Sequence, residues 1–356
     1  ERHFKDLTPA VDFCSLRFVA EQNEQIEVRQ DLLQPIDTHD DVGVMITVVD
    51  GGGLGYAATS DLTLSGLRAA PDHATHWAHQ TAGQAVVDHG QITRPAPVGD
   101  YTAPVAQPWS QVSLSDRIDR AKGQCARLKT DDRIVDWSVS LWWIGSEQLY
   151  LTSDGGRTHQ RFEYLIPGLS VTANEGGETV SRRYGGFDFG RQGCLEILDQ
   201  VAFDEQAPQL SEEVVQLLAA PNCPTGTMDL LLSPDQMYLQ IHESIGHPLE
   251  LDRILGDERN YAGTSFVTQD MFGSYQYGSE LLNVSYDPTV SQELASFAVD
   301  DDGSCAYEVD CAGECGGSAI EDCAGECGGS AVVDCAGECG GDAVVDCAGE
   351  WGGSAE

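Results

Sequence analysis

The sequence predicts an α+β fold followed by a tail of different character. Three observations carry this. Segments of two-residue apolar alternation are interleaved with segments of helical periodicity over the first 300 residues. The composition there is that of a folding chain, 41% hydrophobic over the whole sequence. Beyond about residue 303 the periodicity stops and a short repeat takes over.

Taken in order, residues 11–20 read as a strand, with Cys14, Leu16, Phe18 and Ala20 alternating. Residues 43–50 and 54–58 read as a hairpin around Gly51-Gly52-Gly53, followed by a helix capped near Ser60. The Pro-rich, polar stretch 90–111 reads as a loop. Ser115 is expected to cap a helix running to Lys129. A β-meander follows over 135–143, 147–153 and 158–173, with turns at Gly145 and at Ser153-Asp154-Gly155-Gly156. Trp137, Trp142 and Trp143 are expected in or beside that sheet, ligand stacking being the lesser reading. Helices are expected at 190–202 and 211–219, and a strand at 227–232. Ser233-Pro234-Asp235-Gln236 then forms a capping box with proline at the first helical position. Met237, Ile241 and Ile245 continue at spacing four as a buried stripe.

On that last helix lies His242-Glu243-Ser244-Ile245-Gly246-His247. Two imidazoles can hold a metal, and the adjacent carboxylate can take a proton from water. The spacing is one residue longer than the common His-Glu-x-x-His. Residues five apart on an α-helix diverge by about 140°, so both rings reach one metal only if the helix is distorted. Gly246 weakens the helix, and Pro248 is expected to push His247 out of the α region. A π-type widening, or a break at Gly246, would turn the rings together. The competing reading is a helix with two unrelated histidines and a solvated glutamate.

Composition excludes some partners. The formal net charge is −39, too acidic for a nucleic-acid or anionic-membrane partner. There is no apolar run of membrane-spanning length. An acidic, lysine-poor chain fits a protein kept soluble in salt. The first residues have no signal-peptide core and no initiator Met, so the N-terminus is read as incomplete. Cys14, Cys125, Cys194 and Cys223 are scattered, as in a reduced cytoplasmic protein, whereas eight cysteines crowd into the tail. There Cys311, Cys323, Cys335 and Cys347 each open a 12-residue unit of the form CAGECGGSAVVD, the last with Trp351 in place of the second cysteine. The stretch from Asp301 to Glu356 holds 14 acidic residues and no Lys or Arg, and needs disulfides or Ca²⁺ to become ordered. It resembles Cys-rich repeats of secreted proteins, and the change at Gly303 reads as a fusion or join.

His242 through Phe266, HESIGHPLELDRILGDERNYAGTSF, resembles the catalytic motif of the TldD/PmbA metallopeptidases, on the TldD side that bears it. Gly43 through Leu64, Asp229 through Gln240 and Leu281 through Gly303 resemble other segments of that family, so the likeness covers residues 8 to 303. The resemblance implies an N-terminal mixed α/β domain (1–222), the start of a β-rich C-terminal catalytic domain (223–303), and an unrelated Cys/Gly/Asp repeat tail (304–356). It implies His242 and His247 as Zn²⁺ ligands, Glu243 as general base, and a further cysteine ligand far downstream, outside this sequence. It also implies an extended or unfolded peptide as substrate, a homodimer or a heterodimer with a homologous subunit, and cytoplasmic location. Two histidines alone hold zinc weakly, so peptidase activity is expected to be impaired unless a tail cysteine or a partner completes the site.

Other features are weighed against this. His73, His76 and His79 recur at spacing three and could bind a metal, though an exposed helix face is the commoner meaning. Gly51 to Gly55 lacks the Lys-Ser/Thr of a phosphate loop. Glu250, Asp252 and Asp257 could supply a third ligand or support one, or be plain surface carboxylates. The alternative function is a non-catalytic secreted binding or adhesive protein with a disulfide-rich stalk. A non-catalytic dimer partner is a third possibility, but such family members lack the motif.

Overall fold

A computed structural model of the chain describes residues 3–285 except Pro95, together with positions 287, 290, 292–294 and 296. The repeat tail lies outside the described residues. The elements in order are α1 (Phe4–Leu7), β1 (Phe13–Arg29), β2 (Leu32–Leu33), β3 (Asp37–Asp50), β4 (Gly53–Thr59), α2 (Leu64–Thr81), β5 (Val98–Thr102), α3 (Leu114–Leu128), β6 (Ile134–Thr152), β7 (Arg157–Glu175), β8 (Glu178–Gly185), β9 (Arg191–Gln192), α4 (Glu196–Gln200), α5 (Phe203–Leu218), α6 (Pro234–Ile241) and α7 (Leu251–Leu255). Among the described residues no helix is long and apolar enough to cross a membrane.

The described strands form one large mixed sheet in the order β4-β3-β1-β6-β7-β5, antiparallel except that β5 runs parallel to β7. In the register, Cys14 faces Val48, Leu16 faces Ile46 and Leu151, and Ile26 faces Leu141. Even-numbered residues of β1 therefore share one face. Cys14, Leu16 and Val48 pack under α2 at one end of that face, while Ile26, Val28 and Leu141 pack under α3, α4 and α5 at the other. Both apolar cores thus lie on one side of the sheet.

The hairpin at Gly51-Gly52 is as expected. Asp50 pairs with Gly53, leaving a two-residue turn whose glycines have φ +57° and +81°, as a type I′ turn requires. The glycines beyond the turn answer to packing. A Cβ on Gly55 would come within 2.1 Å of the Ala74 carbonyl oxygen, so α2 can lie on β4 only with glycine there. Ala70, Ala74 and Ala78, the buried stripe of α2, complete that approach.

Several expectations need correction. The cap of α2 is Thr63, whose hydroxyl accepts from the Gly66 amide, not Ser60. The cap of α3 is Ser113, not Ser115; its hydroxyl accepts from the Asp116 amide. The expected loop 90–111 contains β5, a mostly exposed strand too short and polar to read as one. Gly145 is no turn but the interior of the 19-residue β6, paired with Gln22 and Glu163. Its missing side chain leaves room for the Trp143 ring, which a Cβ would meet at 2.8 Å. The turn at 153–156 is where it was expected. Trp143 lies parallel to Trp109 with ring centroids 6.0 Å apart, and Trp137 packs against the core. The helix expected at 190–202 is only α4, since Ala202 (φ +48°) breaks the chain before α5 begins at Phe203. No strand forms at 227–232. Leu230 is 78% and Leu231 97% exposed, and a lone apolar run without a neighbouring strand has no ladder to join.

Candidate metal centre

The site is built on the chain leaving α6. Ser233 stands at the N-cap and Pro234 at the first helical position, where its missing amide hydrogen costs nothing. The expected capping box is absent. The Ser233 hydroxyl donates to the Asp235 carboxylate instead, and that carboxylate accepts from the Gln236 amide at 3.0 Å. Met237, Ile241 and Ile245 are half-buried rather than buried.

At His242 the α-helix widens into a π-turn over His242–Gly246, and the His247 amide donates to the His242 carbonyl five residues back. A 3-10 turn over His247–Leu249 follows. The widening needs no break. His247 stays in the α region (φ −57°, ψ −42°) despite the proline after it, so the expected displacement by Pro248 does not occur. One extra residue absorbed in a π-turn restores the facing that a four-residue spacing would give.

The consequence is geometric. The rings of His242 and His247 lie with centroids 4.5 Å apart and planes at 70°. The Glu243 Oε2 is 3.9 Å from the His247 Nε2. One ligand atom from each of His242, Glu243 and His247 falls within 4.8 Å of the others, and among the described residues this is the group of His, Cys, Asp or Glu side chains that could share an ion. His242 and Glu243 are exposed and His247 is half-buried. Two imidazole nitrogens and a carboxylate are a donor set that fits a divalent transition-metal ion, zinc included. Bonds of about 2 Å call for a closer set of donors than this; of the three side chains, His242 and Glu243 are the exposed ones, while His247 is half-buried.

Surrounding groups hold the turn in place. Glu250 Oε1 lies 2.7 Å from the His247 Nδ1, and Arg253 forms an ion pair with the same carboxylate. The imidazole of His247, with Arg253 behind it, holds the Glu250 carboxyl below the usual carboxylate range. Arg253 also donates to the Ala262 carbonyl at 3.3 Å. The Ser265 hydroxyl donates to the Pro248 carbonyl at 2.6 Å and accepts from the Val267 amide at 3.0 Å. The Tyr277 hydroxyl donates to the Ser244 carbonyl within the π-turn. Glu243, His247, Pro248, Arg253, Thr264, Ser265 and Phe266 line an open pocket of about 260 Å³. A separate apolar pocket of about 320 Å³, bordered by Ile245, Leu249, Val267 and Met271, has no His, Asp, Glu or Cys in its lining.

Of the three carboxylates singled out after the motif, Glu250 reaches a motif histidine. Asp252 instead accepts from the Arg253 amide at 2.8 Å, and Asp257 is exposed. His73, His76 and His79 do lie on a helix, α2, with their side chains exposed. His79 pairs with Asp50 at 2.7 Å and His76 lies edge-on to Trp77. Sequence reading passed over Arg253 and Tyr277. Arg253 had a signal, lying three residues after Glu250 in a helical stretch. Tyr277 had none, 33 residues from the carbonyl it tethers.

Sequence models of the PmbA/TldA metallopeptidase family match over three consecutive stretches: domain 1 over residues 14–78, the central domain over 107–220, and the C-terminal domain over 225–311. A metalloprotease of Methanothermobacter thermautotrophicus is 25% identical over 77% of this chain and 61% of its own length. A metalloprotease TldD homologue of Haemophilus influenzae is 25% identical over 82% of this chain and 59% of its own. The chain thus spans about three-fifths of these relatives. The crystal structure of TldE from Thermococcus kodakarensis superposes with a TM-score of 0.44 at 15% identity, covering 57% of this chain and 44% of that one.

Proposed function

Because the chain belongs to the PmbA/TldD metallopeptidase family, we propose that it is a zinc-dependent peptidase of TldD type, its metal held by His242 and His247 and its general base Glu243. The observation that supports this most is the π-turn. It gathers two imidazoles and a carboxylate from a motif whose spacing would separate them on a regular helix.

Zinc held there would supply Lewis acidity, polarising a peptide carbonyl and acidifying water toward a pKa of roughly 7. The chain's own residues do the rest. His242 and His247 would present neutral nitrogens to the ion. Glu243, beside the His247 Nε2, would accept the proton of the attacking water and pass it to the departing amine nitrogen. The open pocket beside Glu243 and His247 would admit an extended or unfolded peptide rather than a folded surface.

Catalytic zinc sites generally use three protein ligands. With Glu243 kept as base, the described residues supply two. The proposal therefore includes weak metal binding and impaired hydrolysis unless a further residue, such as a cysteine, or a second subunit completes the set. Pairing with a like or homologous subunit belongs to the proposal on the same footing. The secreted adhesive reading rests on the tail, which lies outside the described residues.

Zinc content of the purified chain, by elemental mass spectrometry beside a His242→Ala/His247→Ala double variant, tests the reading. About one zinc per chain, lost in the double variant, is expected if a third ligand is present. A fraction of that, still lost in the variant, is expected if the set is incomplete. Zinc that does not depend on the two histidines would overturn the proposal.

A further inference from the structure

Resting on the metal-centre reading, we infer that Glu250, clamped by Arg253, is the positioning residue of the site: it fixes the tautomer and orientation of His247 and is not itself a ligand.

An imidazole offers two nitrogens, and the partner of one decides what the other can do. Glu250 Oε1 sits 2.7 Å from Nδ1 of His247. A carboxylate only accepts and a guanidinium only donates; the Glu250 contact at 2.7 Å is much shorter than the 3.4 Å approach of the Arg253 Nη2 to the same nitrogen, so Nδ1 carries the hydrogen and, in the neutral ring, Nε2 keeps its lone pair. Nε2 is the nitrogen on the Glu243 side, 3.9 Å from Oε2. The hydrogen bond thus selects the nitrogen that faces the His242–Glu243 cluster. The same fact keeps Glu250 out of the coordination sphere. Its carboxylate is engaged at the far edge of the ring, and the metal-capable group comprises His242, Glu243 and His247 without it.

Glu250 is held in turn. Arg253 pairs with its carboxylate, and the same guanidinium donates to the Ala262 carbonyl. The Ser265 amide donates to the Arg253 carbonyl at 3.3 Å. Arg253 therefore ties the orienting carboxylate to the loop that brings Thr264, Ser265 and Phe266 to the pocket. His242 shows no comparable partner among the contacts of the described residues beyond its edge-on contact with His247. Orientation of the pair rests on the His247 side.

The test titrates the full chain with Zn²⁺ against a chromophoric chelator and records the visible absorption of the Co²⁺ form, for wild type, Glu250→Ala, Glu250→Gln, Arg253→Ala and His242→Ala. Glu250→Ala is expected to weaken metal binding by about 10- to 100-fold and to alter the Co²⁺ spectrum, with unchanged circular dichroism. Glu250→Gln, whose amide oxygen can still accept from Nδ1–H, should recover most of the affinity. Arg253→Ala should fall between. Glu250→Ala binding metal as wild type does, while His242→Ala does not, would overturn the inference and leave the metal centre standing. A Glu250→Ala effect that Glu250→Gln does not relieve would mean direct ligation, and would also overturn it. No histidine-dependent metal in the wild type would remove the metal centre and this inference together.

Discussion

The amide of His247 is bonded to the carbonyl of His242, five residues back, and the two rings lie 4.5 Å apart because of it. An i→i+5 bond is what a six-residue motif needs to act as a five-residue one does on an α-helix. The turn is tied from outside by the Tyr277 hydroxyl on the Ser244 carbonyl, so its geometry does not depend on the two histidines alone. Inserting one alanine between Ser244 and Ile245 should exceed what the π-turn absorbs, swinging His247 by about 100°. Histidine-dependent metal binding should then be lost while the sheet is unaffected. The check is metal titration with circular dichroism of the insertion variant; retained binding would mean that the π-turn does not set the facing.

If any peptide hydrolysis is detected in the wild type, Glu243→Gln should abolish it and leave the metal in place. The amide cannot accept the proton of water at working pH, yet it keeps the shape of the carboxylate. A fall of about 100-fold or more is expected, the range in which general-base contributions lie. Equal activity in wild type and variant would take the base role away from Glu243.

Much of this centre was legible in the sequence, and the reasons are local. The π-type widening follows from counting residues against the helical repeat. The Gly51-Gly52 turn follows from the positive φ that only glycine adopts freely. What could not be read depended on distant partners. Gly145 looked like a turn because nothing in its neighbourhood announces that Trp143 folds over it. Leu230 to Leu232 looked like a strand because their pattern is right, yet a strand exists only with a neighbour to pair. Ser115 looked like a cap because it is a serine before a helix; Ser113 is the one whose hydroxyl reaches the Asp116 amide. Pro248 was expected to move its neighbour, and the surrounding turn overrode that local preference.

Packing of α2 on the sheet should fail with a single methyl group. In Gly55→Ala the new Cβ would be driven to within 2.1 Å of the Ala74 carbonyl oxygen and 2.4 Å of the Ala78 amide nitrogen. These are backbone atoms, so α2 as a whole must shift off β4. The cost should be at the upper end of overpacking, about 3 kcal/mol. In Gly246→Ala the nearest atom to the new Cβ is the Ile241 carbonyl oxygen at 3.9 Å and the backbone is in the α region, so stability should hold or rise by up to about 1 kcal/mol. Urea unfolding of the two variants checks the contrast; a mild Gly55→Ala would mean that α2 docks more loosely than described.

Acid sensitivity should trace in part to Asp136. Arg29 donates to both of its carboxylate oxygens at 2.8 Å, and Gln30 adds a bond at 3.2 Å. The guanidinium of Arg29 holds the Asp136 carboxyl below its ordinary value, against a smaller opposing effect of burial. A carboxyl depressed in the folded state stabilises that state above its unfolded pKa, about 4, and the contribution disappears as pH falls through the folded value. Both side chains are more than a third exposed, so the contribution should be below about 1 kcal/mol. Asp136→Asn should therefore lower stability slightly at pH 7 and flatten its decline below pH 4, read from unfolding midpoints. An unaltered acid limb would sink the assignment.

Cysteine chemistry gives the last expectation. Burial raises the thiols of Cys14 and Cys125 to about 11 and that of Cys194 to about 12. Each is shielded from reagents as well as protonated at neutral pH, whereas Cys223 is exposed. The thiolate is the nucleophile, so burial suppresses both its population and its access. Of the four cysteines that precede the repeat tail, brief alkylation of the native chain at pH 8 should label Cys223 and spare the other three, which should react once the chain is unfolded. Peptide mapping by mass spectrometry distinguishes the sites. The linkage runs with the sign of the shift: a thiol raised on folding favours the folded state below its unfolded pKa of about 8.5, and that contribution is lost as pH climbs toward the folded value. Stability should thus erode on the alkaline side, and Cys194→Ala should lessen that erosion. Native labelling of Cys194 as fast as of Cys223 would show that the core under α4 and α5 opens more readily than its burial implies.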